Sequence, residues 1–224
     1  NGYAFGESLL HVTFQVASIM TTTGYATTDF NLWPEFSRGL MVCLMFIGAF
    51  LMVSPFVIRN TGVAAVAACA VLYGAIGFFD DYIKVVKKRN LGLTAGQKFA
   101  AQFLVTVAFL LFLLYDGRLD TQIIIPFVQR PVNLGILFLP FAAFFQLGFV
   151  NAVNLTDGVD GLASSVAVAM GTVFLIIGYS FSYDIPIISS AIIGGGCGFL
   201  FFNINPAKIF MGDTGSLFFG ALTV

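Results

Sequence analysis

The stretch Gly74-Ala75-Ile76-Gly77-Phe78-Phe79-Asp80-Asp81-Tyr82 decides how this chain is read, because an uncharged, mostly apolar run stops there at two adjacent carboxylates. No charged residue lies between Arg59 and Asp80, and at about 1.5 Å per residue that length is roughly one bilayer crossing. The acid pair therefore belongs at a membrane face. Paired acids in that position are either solvated helix ends or a site that holds a cation against a phosphorylated substrate, and the rest of the chain has to choose between them.

The composition agrees with a membrane setting. Hydrophobic residues make up 58% of the chain and charged residues 9%, with a mean hydropathy of +0.96, whereas soluble domains carry about 25% charged residues. Long apolar stretches separated by Gly, Asn and Asp mean helices and not a barrel, so the expected fold is an all-α polytopic transmembrane bundle in a lipid bilayer. The net charge of -1 says nothing about nucleic acid, and no basic groove with interleaved aromatics suggests such a partner. Cys43, Cys69 and Cys197 stand alone in apolar runs and read as small buried hydrophobes, and a single histidine with no cysteine pair leaves zinc without ligands. The sequence starts at Asn1 and stops in an apolar run at Val224, which reads as part of a longer protein.

Working outward, residues 39–57 and 63–79 each have the length of a crossing, with a turn at Arg59-Asn60-Thr61-Gly62 between them. The segment 82–98 is the most basic, with Lys84, Lys87, Lys88, Arg89 and Lys98, so the positive-inside rule puts it and the acid pair on the cytoplasmic side. Crossings are then expected at 99–115, 134–150, 162–181 and 187–202, with a further helix starting at Thr214. Ile123-Ile124-Ile125 between turn residues predicts a small extracytoplasmic β-hairpin. Counting crossings brings three polar segments, 80–98, 151–161 and 203–213, to one face, and with them Asp80, Asp81, Asp157, Asp160 and Asp213.

Solvated helix ends would explain each segment singly but not the shared density of Asn, Gly and Asp. Clustered carboxylates with Asn side chains are hard oxygen ligands, suited to Mg²⁺ or Mn²⁺ held jointly with substrate phosphates. Asp157, Asp160 and Asp213 are also placed as ordinary helix N-caps. Helix N-termini attract phosphate, as would Lys84 and Lys98. Gly92-Leu93-Thr94-Ala95-Gly96-Gln97-Lys98 lacks the spacing of a Walker A loop, and Gly194-Gly195-Gly196-Cys197-Gly198 reads as a helix-packing surface.

Three motifs, GFFDDYIKVVKKRNLGLTAGQK, NAVNLTDGVDGLA and FFNINPAKIFMGDTGSLFFGA, occur in an order that resembles the polyprenyl-phosphate N-acetylhexosamine-1-phosphate transferases over about residues 63–224. Within that family the likeness is to the branch that uses UDP-MurNAc-pentapeptide. The resemblance implies transfer of phospho-N-acetylmuramoyl-pentapeptide to undecaprenyl phosphate at the cytoplasmic face of the bacterial plasma membrane, giving lipid I and UMP for peptidoglycan synthesis. It implies Mg²⁺ as cofactor and a homodimer. It also implies roles: Asp80 and Asp81 as the acid pair, Asp213 as Mg²⁺ ligand, and Lys84 and Lys98 near the phosphates. Asn154, Asp157 and Asp160 become the polar nucleotide-side segment, and Phe210 the aromatic that stacks on uracil. Asp80→Asn and Asp213→Asn are each expected nearly to abolish transfer.

A second resemblance sits upstream. His11 to about Gly48, centred on TTTGYATTDFNLWP, resembles the pore helix, filter and following helix of one repeat of the Trk/Ktr-type potassium transporters. It divides the chain into a transporter-like part, 1–53, with a short helix at Leu9–Met20, and a transferase-like core, 54–224, with a junction near Ala49–Ser54. Because a filter of that kind faces outward, it would put Asp80 outside, opposite to the side the basic segment predicts. A potassium-transporter fragment, or an inactive truncated bundle, are the alternatives to the transferase.

Overall fold

The computed structural model describes residues 5–20, 60–86, 92–125, 130–180 and 184–223. The filter-like stretch that follows Met20, the expected crossing at 39–57 and the junction near Ala49–Ser54 lie outside those residues. Helix α1 spans Phe5–Met20, beginning a turn before the short helix expected at Leu9. Then come α2 (Thr61–Val86), α3 (Ala95–Tyr115), strands β1 (Gln122–Ile124) and β2 (Pro131–Asn133), a single 3-10 turn at Gly135–Leu137, α4 (Phe138–Thr156), α5 (Leu162–Gly178), α6 (Asp184–Asn203) and α7 (Gly212–Leu222). Among the described residues, four segments are long and apolar enough to cross a membrane, Thr61–Lys84, Ala95–Tyr115, Gly135–Thr156 and Ile185–Asn203. At 17 residues, α5 is shorter, near the lower limit for a span. The all-α polytopic expectation holds. So does the hairpin: β1 and β2 pair antiparallel with Ile123 opposite Val132, while Ile125 falls outside the strand.

Two of the helix starts have a local cause in a side-chain cap. The Asn60 carboxamide accepts the backbone N–H of Gly62 at 2.9 Å and so caps α2. At α3, Thr94 and Gln97 form a reciprocal capping box, which is what the stretch that lacks Walker spacing does instead. Helix ends differ from the sequence expectation. The helix ending at residue 79 in that reading carries on through Asp80 and Asp81 to Val86, because Lys84 lies one turn further on and pairs with both acids. Asn151 and Asn154, expected in a loop, are on the last turns of α4; their amides find partners on other helices, so they do not need water. None of the three aspartates expected as N-caps is the N-cap residue of its helix. Gly161 (φ +75°) holds that position for α5, Met211 for α7, and Asp213 lies within the first turn of α7.

Packing puts the short α7 at the centre. It lies most extensively against α2 and next against α4, burying Gly215, Ser216, Leu217, Phe219, Gly220 and Ala221. Tyr73, Ala70 and Cys69 of α2, Val150 of α4 and Leu217 of α7 form one core. Ala167, Ile192, Phe199, Met211 and Phe219 form another, where α5 and α6 meet α7. The polyglycine stretch does pack one helix on another at Gly196, where a Cβ would run into Val168 of α5, but Gly194 and Gly198 have open space beside them. Large apolar side chains such as Leu104, Phe144 and Phe201 point outward, as expected where the solvent is lipid.

Several polar groups inside the apolar spans are paired. The Tyr73 hydroxyl lies 2.5 Å from the Thr106 hydroxyl, and Gln102 and Asn151 exchange side-chain amide bonds of 2.8 and 3.4 Å. Replacing Gln102 by Leu would leave the Asn151 amide short of a partner in a dry interface, at a cost of about 1–2 kcal/mol. A thermal-unfolding midpoint several degrees below that of the parent in the same detergent would be the signature.

The hydrogen bonds also fix which ends of the helices meet. Thr61 at the start of α2 donates to Asp116 at the end of α3 (3.1 Å), and Arg118 bonds Asp116 at 2.6 Å and Thr61 at 2.8 Å. At the opposite end, the C-termini of α2, α4 and α6 meet the N-termini of α3, α5 and α7 through Leu93–Asp80, Asn154–Asp213 and Gly161–Asn203 bonds. The three polar segments thus share one end of the bundle.

Candidate active site

The site is built on the last turns of α2. Lys84, three and four residues beyond the acid pair, turns its ammonium back to lie 2.6 Å from Asp80 Oδ2 and 3.3 Å from Asp81 Oδ1. The same nitrogen reaches Asp213 Oδ2 of α7 at 2.6 Å. Lys98, from the first turn of α3, approaches that Asp213 oxygen at 3.2 Å. The other oxygen, Oδ1, accepts Asn154 Nδ2 at 2.8 Å, and Asn154 also donates to Ser216 at 2.7 Å.

The two members of the acid pair are held differently. Asp80 is buried, with a side chain only 5% exposed, and its Oδ1 accepts the backbone N–H of Leu93 at 2.7 Å. Gly92 makes this contact possible, since a Cβ there would lie 2.5 Å from the same carboxylate. Asp81 is 32% exposed. Its Oδ2 accepts the backbone N–H and the hydroxyl of Thr214, both at 3.1 Å, so a carboxylate on α2 supplies the acceptor that α7 lacks at its own N-terminus.

A glycine on α2 sets the spacing of these groups. At Gly77 a Cβ would collide with the backbone carbonyl of Asp213 and the N–H of Thr214. Without a side chain at that point, α7 can begin directly against α2, one turn from the acids. Gly212, at φ +64°, makes the turn into α7 with Asp81 close beside it.

The electrostatics follow from the crowding. Burial, followed by the negative charges of Asp213 and Asp81, pushes the Asp157 carboxyl up to about 6, against the opposing hydrogen bond from the Gly212 N–H. Burial acts in the same sense on Asp213, but hydrogen bonding with Asp80, Asn154 and Lys84 and the charge of Lys98 outweigh it and hold that carboxyl below the usual carboxylate range. Carboxylate oxygens of Asp80, Asp81 and Asp213 come within 4.8 Å of one another. An all-oxygen set of this kind fits a hard divalent cation such as Mg²⁺ and not zinc.

Of the residues singled out in the sequence, Asp80, Asp81, Lys84, Lys98, Asn154, Asp157 and Asp213 gather in this cluster. Asp160 and Phe210 do not join it. Asp160 accepts from Asn205 Nδ2 at 3.1 Å and the Ala207 N–H at 3.0 Å, tying the α4–α5 turn to the α6–α7 loop. Phe210 stands exposed on that loop. Buried Asn203 fastens the same two segments, accepting from the Gly161 N–H at 2.9 Å and donating to the Ile209 carbonyl at 2.9 Å. Sequence reasoning missed Gly77, Gly92, Asn203, Thr214 and Ser216 as parts of the site. The only signal for them was adjacency to an acidic motif.

Comparison with known proteins places most of the chain in one family. A profile of glycosyl transferase family 4 matches residues 63–224, the segment that contributes every member of the cluster. A phospho-N-acetylmuramoyl-pentapeptide-transferase of Listeria monocytogenes serotype 4b is 53% identical over 150 residues, which are 66% of this chain and 46% of the relative. Proteins of the same name from Anoxybacillus flavithermus and Halalkalibacterium halodurans are 43% identical over 188 residues and 44% identical over 185, covering 83% and 81% of this chain and 58% and 56% of theirs. The chain thus spans about half the length of the curated relatives it matches. Neither the profile nor these relatives supports the potassium-transporter likeness. Since the profile covers residues 63–224, which is most of the chain and takes in nearly all of α2 and the whole of α3 through α7, the chain belongs to glycosyl transferase family 4.

Proposed function

We propose that this chain carries the catalytic core of a phospho-N-acetylmuramoyl-pentapeptide transferase of the bacterial plasma membrane, taking UDP-MurNAc-pentapeptide and undecaprenyl phosphate to lipid I and UMP. The observation that carries the reading is the convergence of three carboxylates and two ammoniums, from separate polar segments, at one end of an apolar bundle. Lys84 and Lys98 lie at that end, and the sequence between α2 and α3 adds Lys87, Lys88 and Arg89, a basic bias that favours the cytoplasmic side. The homodimer implied by the family resemblance belongs to the same proposal.

In this reading, an oxygen of the lipid phosphate attacks the β-phosphorus of the UDP-sugar. A new P–O bond forms, the bond from that phosphorus to the bridging oxygen breaks, and UMP leaves with the bridging oxygen. Both reactants are anions, so Lys84 and Lys98 serve to draw them together and hold their phosphates. Asp213, beside Asp80 and Asp81, would hold Mg²⁺, which when bound supplies further positive charge for the diphosphate. A proton on the lipid phosphate passes to a carboxylate. Asp81 is the better placed acceptor, because its side chain is 32% exposed against 5% for Asp80 and its Oδ1 has only the longer, 3.3 Å contact with Lys84. Asp157, with a carboxyl near 6, and Asn154 line the nucleotide side with Asp160, while Phe210 offers an exposed ring for the uracil.

The test is a transfer assay with the chain in detergent or nanodiscs, undecaprenyl phosphate, fluorescently tagged UDP-MurNAc-pentapeptide and Mg²⁺. A tagged product that partitions into butanol, with UMP released in equal amount and both lost on chelation, is the expected result. UMP release without lipid-linked product, or product formation unaffected by chelation, would overturn the assignment.

A further inference from the structure

Every oxygen of Asp213 is already engaged within the protein. Its Oδ2 takes both Lys84 at 2.6 Å and Lys98 at 3.2 Å, and its Oδ1 takes Asn154 at 2.8 Å. A divalent cation that binds Asp213 has to share an oxygen with an ammonium or displace it, and positive charges at such separations repel strongly in a partly buried site.

The two lysines are not equivalent in this respect. Lys84 is the ammonium common to all three carboxylates, so it sits among the oxygens that a metal would use. It is also the freer of the two, with 35% of its side chain exposed against 18% for Lys98. Lys98 touches Asp213 alone of the three acids, and it can keep that contact while a metal binds the outer face of the cluster.

We propose that Lys84 is a displaceable internal cation: it neutralises the Asp80–Asp81–Asp213 cluster, yields those oxygens to the divalent metal, and on release turns its ammonium to an anionic diphosphate. This rests on the transferase reading for the metal and the diphosphate, and adds a coupling between them. Metal entry makes available the lysine that the phosphates need. The same positive charge then serves two sites in turn, which keeps the cluster from standing as three unpaired carboxylates.

The experiment uses Mn²⁺ as the probe, with free Mn²⁺ followed by electron paramagnetic resonance over the detergent-solubilised full chain. Lys84→Gln should tighten Mn²⁺ binding by about fivefold or more, because the competing cation is gone. Lys98→Gln removes a second nearby positive charge, 3.2 Å from Asp213, without removing the competitor, and should change the affinity by no more than about twofold. Amine-reactive labelling read by mass spectrometry gives a second measure on the unaltered chain: saturating Mn²⁺ should raise modification of Lys84 by about threefold and leave Lys98 unchanged.

Equal effects of the two substitutions, weaker Mn²⁺ binding in Lys84→Gln, or unchanged labelling of Lys84 would overturn the displacement. The failure of the underlying reading looks different. If the parent chain shows no saturable Mn²⁺ binding, or if Asp213→Asn binds Mn²⁺ as well as the parent does, the metal assignment itself falls.

Discussion

Replacing Asp213 by asparagine is expected to lower lipid-linked product formation by about 10³-fold while leaving the bundle folded. The carboxylate is the meeting point of the site, bonded to Lys84, Lys98 and Asn154 from three different helices. An asparagine has nearly the same shape, so its oxygen can still accept one ammonium and α7 can still pack on α2 and α4. What it lacks is the charge that draws two ammoniums and a cation to one point. The substitution therefore separates chemistry from folding: turnover falls, whereas the thermal midpoint in detergent stays within a few degrees of the parent. Turnover within about threefold of the parent would remove Asp213 from the centre of the proposed chemistry.

The second large effect is expected at a residue with no functional group. Gly77→Ala introduces a Cβ where the backbone of Asp213 and Thr214 already lies. Neither the α2 backbone nor the start of α7 can give way cheaply, because both are main chain and α7 is otherwise buried. The helices must separate by about 1 Å, which carries Asp213 away from Lys84 and Thr214 away from Asp81, and a displacement of that size in a reacting constellation costs about 10²-fold in rate. Gly148→Ala is the matched control, since nothing lies within 4 Å of a Cβ at that position and alanine is the better helix former. Full activity in Gly148→Ala beside a collapse in Gly77→Ala would show that the close approach of α2 and α7 is what positions the site. Equal activity in the two would show that α7 tolerates the shift.

How far the sequence reads on its own depends on whether the signal is local. Spans of the bundle are legible because a bilayer demands about 20 apolar residues in a row, and α2, α3, α4 and α6 each supply them. The hairpin is legible for the same kind of reason, from a β-branched run between turn residues. The C-terminal ends of α2 and α4 were misread by several residues, at polar positions. Asp80, Asp81, Asn151 and Asn154 look like places where a helix meets water, yet Asp81, Asn151 and Asn154 have partners on other helices and Asp80 accepts the Leu93 N–H from the segment before α3. Those partners are supplied by the tertiary fold and leave no mark in the local sequence.

The site divides in the same way. That the aspartates of three separated segments share one end of the molecule follows from counting crossings along the sequence, because a helix that crosses a bilayer must end on the other side. Which of those aspartates meet, and which oxygens remain open, was decided only by packing. The bare backbone of Gly77 lets α7 start against α2, Leu93 claims one face of Asp80, and Asp160 is drawn off to Asn205 and Ala207. The chemistry of a carboxylate is encoded in its residue type. Its role depends on neighbours more than a hundred residues away in the chain, brought within hydrogen-bonding distance by helices too closely packed to admit a single additional carbon at Gly77.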